Sequence, residues 1–296
     1  MEYPGAPGQF VAVRRVITIS RSTHAGVRFY VAVMTSFVVQ RNGRPATDED
    51  LAPLAFAGFA HFTATQVRDG RVRGLDLHLD RLRSASDELF GAALPDEQVR
   101  AHLRAAIEAG PADASLSAVI YPHAGEFSAA DPQLQMLVRT SPPSSGPDGP
   151  LSLAVVEHER ALPTIKHVGE VAKTYYLRKA VKQGFDDAAF VDRHGRLSEA
   201  TIWNLAFWDG TTVIWPEADI LTGVTMSIVR RQLERLGVPQ RVEPITPQDT
   251  LSGAVVMNSW TPGLAVNRIG DMRLPEASAF VDLLHQAYDA ETLTSP

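Results

Sequence analysis

Residues 165–225 read IKHVGEVAKTYYLRKAVKQGFDDAAFVDRHGRLSEATIWNLAFWDGTTVIWPEADILTGVT, with Lys166 near the beginning of the stretch. A helical pattern follows Lys166 and ends at Gly184, because glycine readily takes the conformation that closes a helix. Two apolar runs, at 188–191 and 202–207, predict short strands. Helices and strands mix without strict alternation, which predicts an α/β (α+β) protein rather than a doubly wound sheet.

The most irregular segment of the chain reads SPPSSGPDGP at residues 141–150. Its proline and glycine content suits no regular element, so we predict an interdomain linker there. The linker separates a small N-terminal α/β domain, residues 34–140, from a larger C-terminal domain, residues 151–296. Residues 1–33 carry no convincing signal-peptide pattern, and we expect them to be a disordered or poorly packed extension.

The clearest local signals in the N-terminal half are two dipeptides that are typical of tight turns. Asn42-Gly43 and Asp69-Gly70 both follow apolar, strand-like runs and predict tight hairpins. Leucines share one helical face between Leu75 and Leu89, which predicts an amphipathic helix after the second hairpin.

Composition excludes several classes of protein. The 296 residues contain no cysteine, which rules out a disulfide scaffold and a thiolate metal site, and we predict no metal. Lys and Arg are scattered and the formal net charge is −6, so no patch suits nucleic acid. No apolar run reaches the roughly 18 residues of a membrane span. We therefore expect a cytoplasmic protein without a nucleic-acid or membrane partner.

The ordered residues of the stretch at 165–225 resemble the class IV, fold-type IV aminotransferases, which use pyridoxal 5'-phosphate (PLP). That family carries a Lys, a Gly 18 residues later, an apolar strand that ends in Asp and a Glu that opens the next strand. An Asn-containing strand and a Pro-Gly-Ile-Thr-like turn follow, and Thr222 stands here where that Pro is usual. The matching positions here are Lys166, Gly184, Asp192, Glu199, Asn204 and Gly223-Val224-Thr225. The resemblance implies a two-domain architecture like that of D-amino acid aminotransferase, with PLP in the cleft between the domains.

The resemblance implies that Lys166 forms a Schiff base with PLP and moves the substrate proton. An amine at the edge of an apolar stretch can be partly desolvated, which lowers its pKa and makes it nucleophilic. Without the surrounding pattern, Lys166 would be read as an ordinary surface lysine. The lysines of the following helix, Lys173, Lys179 and Lys182, are predicted to form its solvated face.

The resemblance implies a second catalytic role, which belongs to Glu199: its carboxylate holds the protonated nitrogen of the PLP ring. A buried carboxylate beside that nitrogen keeps the proton in place, which the chemistry of the ring requires. The alternative is a solvent-exposed glutamate at a strand edge.

The resemblance also implies a phosphate site. Gly223, Val224 and Thr225 open a helix, whose free N–H groups bind anions, although plain capping by Thr222 or Thr225 would explain them too. Arg81 lies in a His-x-x-Arg-Leu motif and can pair with phosphate, or else with Asp80 or Asp76. Asn258 and Ser259 stand where the family has a small hydroxyl pair that touches phosphate, and an ordinary turn explains them nearly as well.

The family's motif that lines the substrate pocket is altered in this chain. Residues 57–66 read AGFAHFTATQ, where Gly58 and Phe62 match the family but its Tyr, Glu and Arg are replaced. The candidates for substrate binding are therefore Gln66, at the position of that Arg, Trp260, where small residues are usual, and Arg139. Arg139 matches an arginine that grips the substrate carboxylate in some members, or it is a surface residue before the linker.

The implied reaction is amino transfer between an amine or amino acid and a 2-keto acid, carried out by a homodimer. One alternative is a lyase of the 4-amino-4-deoxychorismate type, which uses the same lysine and releases pyruvate without an acceptor. The other alternative is a catalytically silent PLP-binding protein, against which the retention of both Lys166 and Glu199 argues.

Overall fold

The computed structural model describes residues 16–19, 32–35, 37–56, 58–124 and 132–296. Near the N-terminus, β1 (Val16–Ile19) pairs antiparallel with β2 (Ala32–Thr35). Apart from the residues of these two strands, the predicted extension at residues 1–33 lies outside the described residues.

A five-stranded antiparallel sheet with helices on one face forms the first half of the chain. Its strands follow the order β4-β3-β8-β7-β5, and β6 lies apart from it. The elements are β3 (Val39–Arg41), β4 (Arg44–Pro45), α1 (Asp48–Phe56), β5 (His61–Val67), β6 (Val72–Arg73), α2 (Leu75–Phe90), α3 (Asp96–Glu108), β7 (Ala114–Pro122) and β8 (Leu134–Ser141).

Side chains alternate strictly across β5. His61, Thr63, Thr65 and Val67 are buried on the side of α2 and α3, while the intervening residues lie on the opposite face. This period of two leaves Phe62 and its neighbours on a face that the small sheet's helices do not cover.

Both predicted hairpin turns are confirmed. Asn42 and Gly43 have φ of 50° and 77°, and Asp69 and Gly70 have φ of 50° and 68°. Positive φ at both central positions is the geometry that matches the twist of the flanking strands, and Asn-Gly and Asp-Gly adopt it most readily.

Residues 142–150 form no helix or strand, whereas Ser141, the first residue of the predicted linker, is the last residue of β8. The segment is held against the small sheet, because the Ser144 N–H donates to Gln66 Oε1 at 2.9 Å. The exact division into domains stays a prediction.

A nine-stranded mixed sheet dominates the second half. Its order is β11-β10-β9-β16-β15-β12-β13-β14, with β17 beside β16, and β11 also pairs with β12. The elements are β9 (Leu151–Glu157), α4 (Val171–Lys182), β10 (Asp187–Val191), β11 (Leu197–Ala200), β12 (Asn204–Trp208), β13 (Val213–Pro216), α5 (Val224–Arg235), β14 (Gln240–Glu243), β15 (Gly253–Met257), β16 (Leu264–Ile269), β17 (Met272–Arg273), α6 (Ser278–Asp289) and β18 (Leu293–Thr294).

The large sheet closes on itself, since β11 pairs with β10 on one side and with β12 through Glu199 and Asn204 on the other. One apolar cluster fills the strands' shared face, with Leu153, Leu205 and Val266 fully buried. Helices α5 and α6 cover β12, β13 and β15 through a second cluster, and α4 covers β9 and β10 through a third. The predicted mixed α/β fold is confirmed.

The two halves are tied by the end of the chain, where β18 pairs antiparallel with β6. No helix within the described ranges has the length and apolar character needed to cross a bilayer.

Candidate active site

A cleft of about 310 Å³ lies between the uncovered face of the small sheet and the large sheet. The small sheet and its helix α2 contribute Phe62, Ala64 and Arg81. The large sheet and its connections contribute residues of predicted chemistry: Lys166, Glu199, Gly223, Val224, Thr225, Asn258, Ser259 and Trp260.

The start of α5 forms one wall of the cleft. Gly223 is the N-cap with extended backbone, and the first intrahelical bond runs from the Ser227 N–H to its carbonyl. The N–H groups of the first turn precede that bond and carry the positive end of the helix dipole, so they favour an anion. Thr225 Oγ1 donates to the Asn258 carbonyl at 2.8 Å, which joins this wall to the loop after β15.

The side chain of Asn204 fixes the entry into α5 from the neighbouring strand. Its Nδ2 donates to the Leu221 carbonyl at 2.6 Å, and its Oδ1 accepts the Gly223 N–H at 3.1 Å. A Cβ on Gly223 would lie 2.1 Å from that Oδ1, closer than any real contact. Glycine is therefore required here by a close approach rather than by its backbone angles.

We expect Gly223→Ala to destabilise the fold, because the added methyl group must displace the Asn204 amide from both of its hydrogen bonds. Overpacking of this kind costs about 1–3 kcal/mol. Denaturant unfolding should show the loss as a lower midpoint. Gly169→Ala is the matched control, since its Cβ meets nothing closer than 3.6 Å, and equal midpoints for the two variants would contradict the role of the close approach.

Arg81 on α2 points its guanidinium at the same end of α5, where Nη2 donates to the Thr222 carbonyl at 2.7 Å. Burial above all, and then the nearby Arg160 cation, lower the pKa of Arg81 to about 10. The alternative salt bridges are not formed, because Asp80 pairs with Arg83 and Asp76 with Arg231. Within the described ranges Arg81 has no carboxylate partner, so its charge is available to an anion beside the helix start.

Lys166 lies on the connection between β9 and α4, which is fastened to the beginning of β5. The Phe62 N–H donates to the Lys166 carbonyl at 2.8 Å, and the Val168 N–H donates to the Ala60 carbonyl at 2.9 Å. The ammonium nitrogen lies 4.8 Å from the centroid of the Phe62 ring. Burial above all, and then the cations Arg81, Lys173 and Arg160, lower the pKa of Lys166 to about 7. Near neutral pH much of this amine is uncharged and nucleophilic.

Glu199 on β11 is 4% exposed and faces the same cleft. Its Oε1 accepts from Arg160 Nη1 at 3.5 Å. Burial raises the pKa of the Glu199 carboxyl, while Lys173, Arg160 and Lys166 oppose the rise. A further positive charge placed in the cleft would therefore stabilise the carboxylate.

Arg160 was not singled out by the sequence, yet it links the two catalytic candidates. Its side chain is 2% exposed, and its Nη2 donates to the carbonyl of Ile165, next to Lys166, at 2.6 Å. Its Nε lies 3.7 Å from Glu170 Oε1. One buried guanidinium thus holds the backbone before Lys166 and the carboxylate of Glu199 together.

The prediction that Lys173 is solvated is wrong. Its side chain is 13% exposed, lines the cleft and lies 3.8 Å from Glu170 Oε2, and burial lowers its pKa. Lys179 and Lys182 are exposed as predicted. The apolar residues Val171 and Tyr175 face outward instead, at 82% and 61% exposure.

The loop after β15 completes the cleft. Asn258 uses its side chain within the loop, because Oδ1 accepts the Trp260 N–H at 2.8 Å. The Ser259 hydroxyl lines the cleft and has no hydrogen-bond partner within the described part of the chain. Trp260 is 39% exposed and meets Trp203 edge to face, with ring centroids 5.7 Å apart.

Two predicted substrate residues lie outside the cleft. The Gln66 amide is occupied, since Nε2 donates to Ser115 Oγ at 2.9 Å and Oε1 accepts the Ser144 N–H at 2.9 Å. Arg139 is exposed on β8, in the cross-strand row that runs from Ala64 through Ser117. Their roles in substrate binding stay predictions, and Ala57, in the altered stretch, lies outside the described residues.

Among the described residues, no group of His, Cys, Asp or Glu side chains is arranged to hold a metal ion. The chemistry of the cleft is that of a nucleophilic amine, a buried carboxylate and an anion site.

Comparison with known proteins gives one family. The model of the family described as amino-transferase class IV matches residues 60–269. No curated protein matches the chain significantly in sequence.

Solved structures share the fold at low sequence identity. Branched-chain amino acid aminotransferase from Escherichia coli has 16% identity and a TM-score of 0.75, with 86% of this chain and 94% of that chain covered. 4-Amino-4-deoxychorismate lyase from Pseudomonas aeruginosa has 20% identity and a TM-score of 0.72, with 85% of this chain and 98% of that chain covered.

 A hypothetical aminotransferase from Mycobacterium tuberculosis in its PLP-bound form has 21% identity and a TM-score of 0.69, with 86% of this chain and 99% of that chain covered.

Proposed function

The chain belongs to the class IV aminotransferase family, and from that premise we propose that it transfers an amino group between an amine or amino acid and a 2-keto acid. Its cofactor is PLP. The observation that carries the proposal is the meeting, in one cleft, of the partly neutral Lys166 amine, the buried Glu199 carboxylate and a cationic helix start.

The residues of the cleft fit the three reactive parts of PLP. Its phosphate suits the first turn of α5 together with Arg81, which has no carboxylate partner in the described part of the chain. Its aldehyde suits Lys166, and its ring nitrogen suits Glu199, whose carboxylate gains from an added positive charge. When bound, PLP withdraws electrons from the substrate carbon that bears the amino group, so that this carbon can lose a proton.

The side chains of the cleft have separate roles in the proposed reaction. Lys166 Nζ would hold the cofactor, and its neutral amine would take the proton from the substrate carbon and deliver it to the cofactor side. The Glu199 carboxylate would hold a proton at the ring nitrogen. Lys173 adds positive charge beside both residues, while Phe62 and Trp260 line the cleft and limit the access of water.

We expect covalent attachment of PLP to accelerate as the pH rises through about 7. The neutral amine is the nucleophile, and the lowered pKa of Lys166, about 7, means that the ammonium form loses its proton there. Stopped-flow absorbance of the cofactor-free protein mixed with PLP, from pH 5.5 to 9, gives the profile. A rate that keeps rising towards the ordinary lysine range near 10 would contradict the burial of this amine.

We expect Arg81→Gln to weaken the retention of PLP by about 10- to 100-fold, because the variant loses a charge-assisted contact to phosphate. Dialysis followed by measurement of bound cofactor gives the dissociation constant. Arg83→Gln is the matched control on the same helix, since Arg83 is exposed and pairs with Asp80 and Asp96. Equal retention in the two variants would remove Arg81 from the phosphate site.

The products decide between aminotransferase and lyase. The PLP-loaded protein is incubated with a panel of amines and amino acids plus pyruvate or 2-oxoglutarate, and separately with 4-amino-4-deoxychorismate. Amino acid formed from the keto acid supports the proposal. Pyruvate and aminobenzoate formed without an acceptor would replace it with the lyase, and no product from either reaction would favour a silent PLP-binding protein.

The homodimer and the cytoplasmic location stay predictions. Sedimentation of the PLP-loaded protein measures the first, and a monomer at micromolar concentration would contradict it.

A further inference from the structure

A second hollow, of about 300 Å³, adjoins the cleft. Ser259 and Trp260 line both cavities, so these two residues form the boundary that the cavities share. The far wall comes from the turn after β5, from β6 and from the end of α6, through Arg68, Arg73 and Tyr288 respectively. The hollow therefore lies directly beside the cleft, on the other side of Ser259 and Trp260.

Arg68 is braced within this hollow. Its Nη1 donates to the Val67 carbonyl at 2.8 Å, and its Nη2 donates to Gln66 Oε1 at 3.2 Å. Gln66 is itself fixed by Ser115 and Ser144. The amide of Gln66 thus positions the Arg68 guanidinium.

The charge of Arg68 is not neutralised by the residues that the structure describes. No carboxylate within those ranges forms an ion pair with it, whereas Arg73 pairs with Asp289 at 3.1 Å. The hollow is lined by the guanidinium groups of Arg68 and Arg73 and by the carboxylate of Asp289, so its net charge is positive. A guanidinium that keeps free donors in a fork suits a carboxylate.

Hydroxyl groups add donors around this charge. Tyr288 stacks under Arg73, with the guanidinium carbon 5.5 Å from the ring centroid. Burial raises the pKa of Tyr288, so its hydroxyl stays protonated and able to donate. Ser259 lies on the side of the cleft.

We propose that the hollow beyond Trp260 binds a second, distal carboxylate of the substrate, and that Arg68 is the residue that selects for it. The proposal rests on the proposed function, which places the reacting end of the substrate in the cleft. It narrows the substrate class to amino or keto acids with a carboxylate at the far end.

Calorimetry on the PLP-loaded protein tests this with probes that cannot react. Glutarate and adipate are compared with pentanoate and hexanoate, which have the same chain lengths and one carboxylate each. We expect the better dicarboxylate to bind at least about tenfold more tightly than its monocarboxylate partner. Arg68→Gln should remove the preference, and Arg68→Lys, which keeps the charge, should restore part of it.

Arg71→Gln is the matched control, because Arg71 lies in the same turn, is 46% exposed and pairs only weakly with Asp69 at 3.7 Å. It should keep the full preference. Equal binding of the two acid types by the parent, or a preference that survives in Arg68→Gln, overturns the proposal. A preference that depends on Arg68 in a protein that transfers no amino group would instead retain the subsite and reject the proposed function.

Discussion

Lys166→Ala is expected to abolish covalent attachment of PLP and to lower amino transfer by at least about 10³-fold. The lysine carries two tasks, anchoring the cofactor and moving the proton, and no neighbouring group is positioned to take over both. Borohydride reduction of the loaded protein followed by peptide mass spectrometry locates the attachment without any need for turnover.

The sharpest control is Lys173→Met, because the cleft contains two lysines whose pKa burial lowers. Lys173 is occupied by its ion pair with Glu170, at 3.8 Å, whereas the Lys166 amine has no ion pair within the described ranges and lies against Phe62. We expect Lys173→Met to keep the cofactor attached. Attachment that survives in Lys166→Ala but disappears in Lys173→Met would reverse the assignment of the anchor.

Short-range signals allowed much of the cleft to be predicted from the sequence. Gly223 and Thr225 mark a helix start, and Glu199 and Asn204 are neighbours across the strand pair that closes the large sheet. Such residues are constrained by local backbone geometry, so their spacing along the chain is itself informative. The two hairpin turns are predictable for the same reason.

Residues that act through tertiary packing could not be predicted in this way. The charge pattern of α4 does not reveal which of its faces meets the large sheet, and Lys173 was therefore assigned to the wrong side. Arg160 follows β9 in an ordinary charged sequence, and only the fold brings it to Glu199 and Ile165. The closure of the large sheet is equally non-local, since it depends on β11 meeting both β10 and β12.

The limit of prediction from the sequence is clearest for the residues that are candidates for substrate binding. Gln66 occupies the position of a family arginine and was predicted to touch substrate, but its amide is satisfied by Ser115 and Ser144. Arg68, two residues further along the chain, lines the adjoining hollow together with Gln66. Side chains two residues apart along a strand point to the same face, so an arginine displaced by two positions keeps its direction. A residue-by-residue match to the family motif does not detect such a displacement.

Glu199→Gln is expected to lower amino transfer by about 10²- to 10³-fold while PLP still attaches to Lys166. The amide has the shape of the carboxylate but no negative charge, so it cannot hold a proton on the ring nitrogen. Single-turnover absorbance with an active amine measures the chemical step, and borohydride reduction confirms attachment. The split between retained attachment and lost transfer separates an electronic role for Glu199 from a merely structural one.

Stability must be measured beside these rates, because Glu199 is a partner of the buried Arg160. Removing one partner of a buried pair costs about 3–5 kcal/mol when nothing replaces it, although Glu170 still lies 3.7 Å from the same guanidinium. Glu170→Gln is therefore the matched control, since it also strips a carboxylate from Arg160 but does not line the cleft. If Glu199 acts on the ring nitrogen, the two variants lose similar stability and only Glu199→Gln loses the chemical step. Equal losses of transfer in both would show that the carboxylates act through Arg160 and the position of Lys166, and would leave the ring nitrogen without its assigned partner.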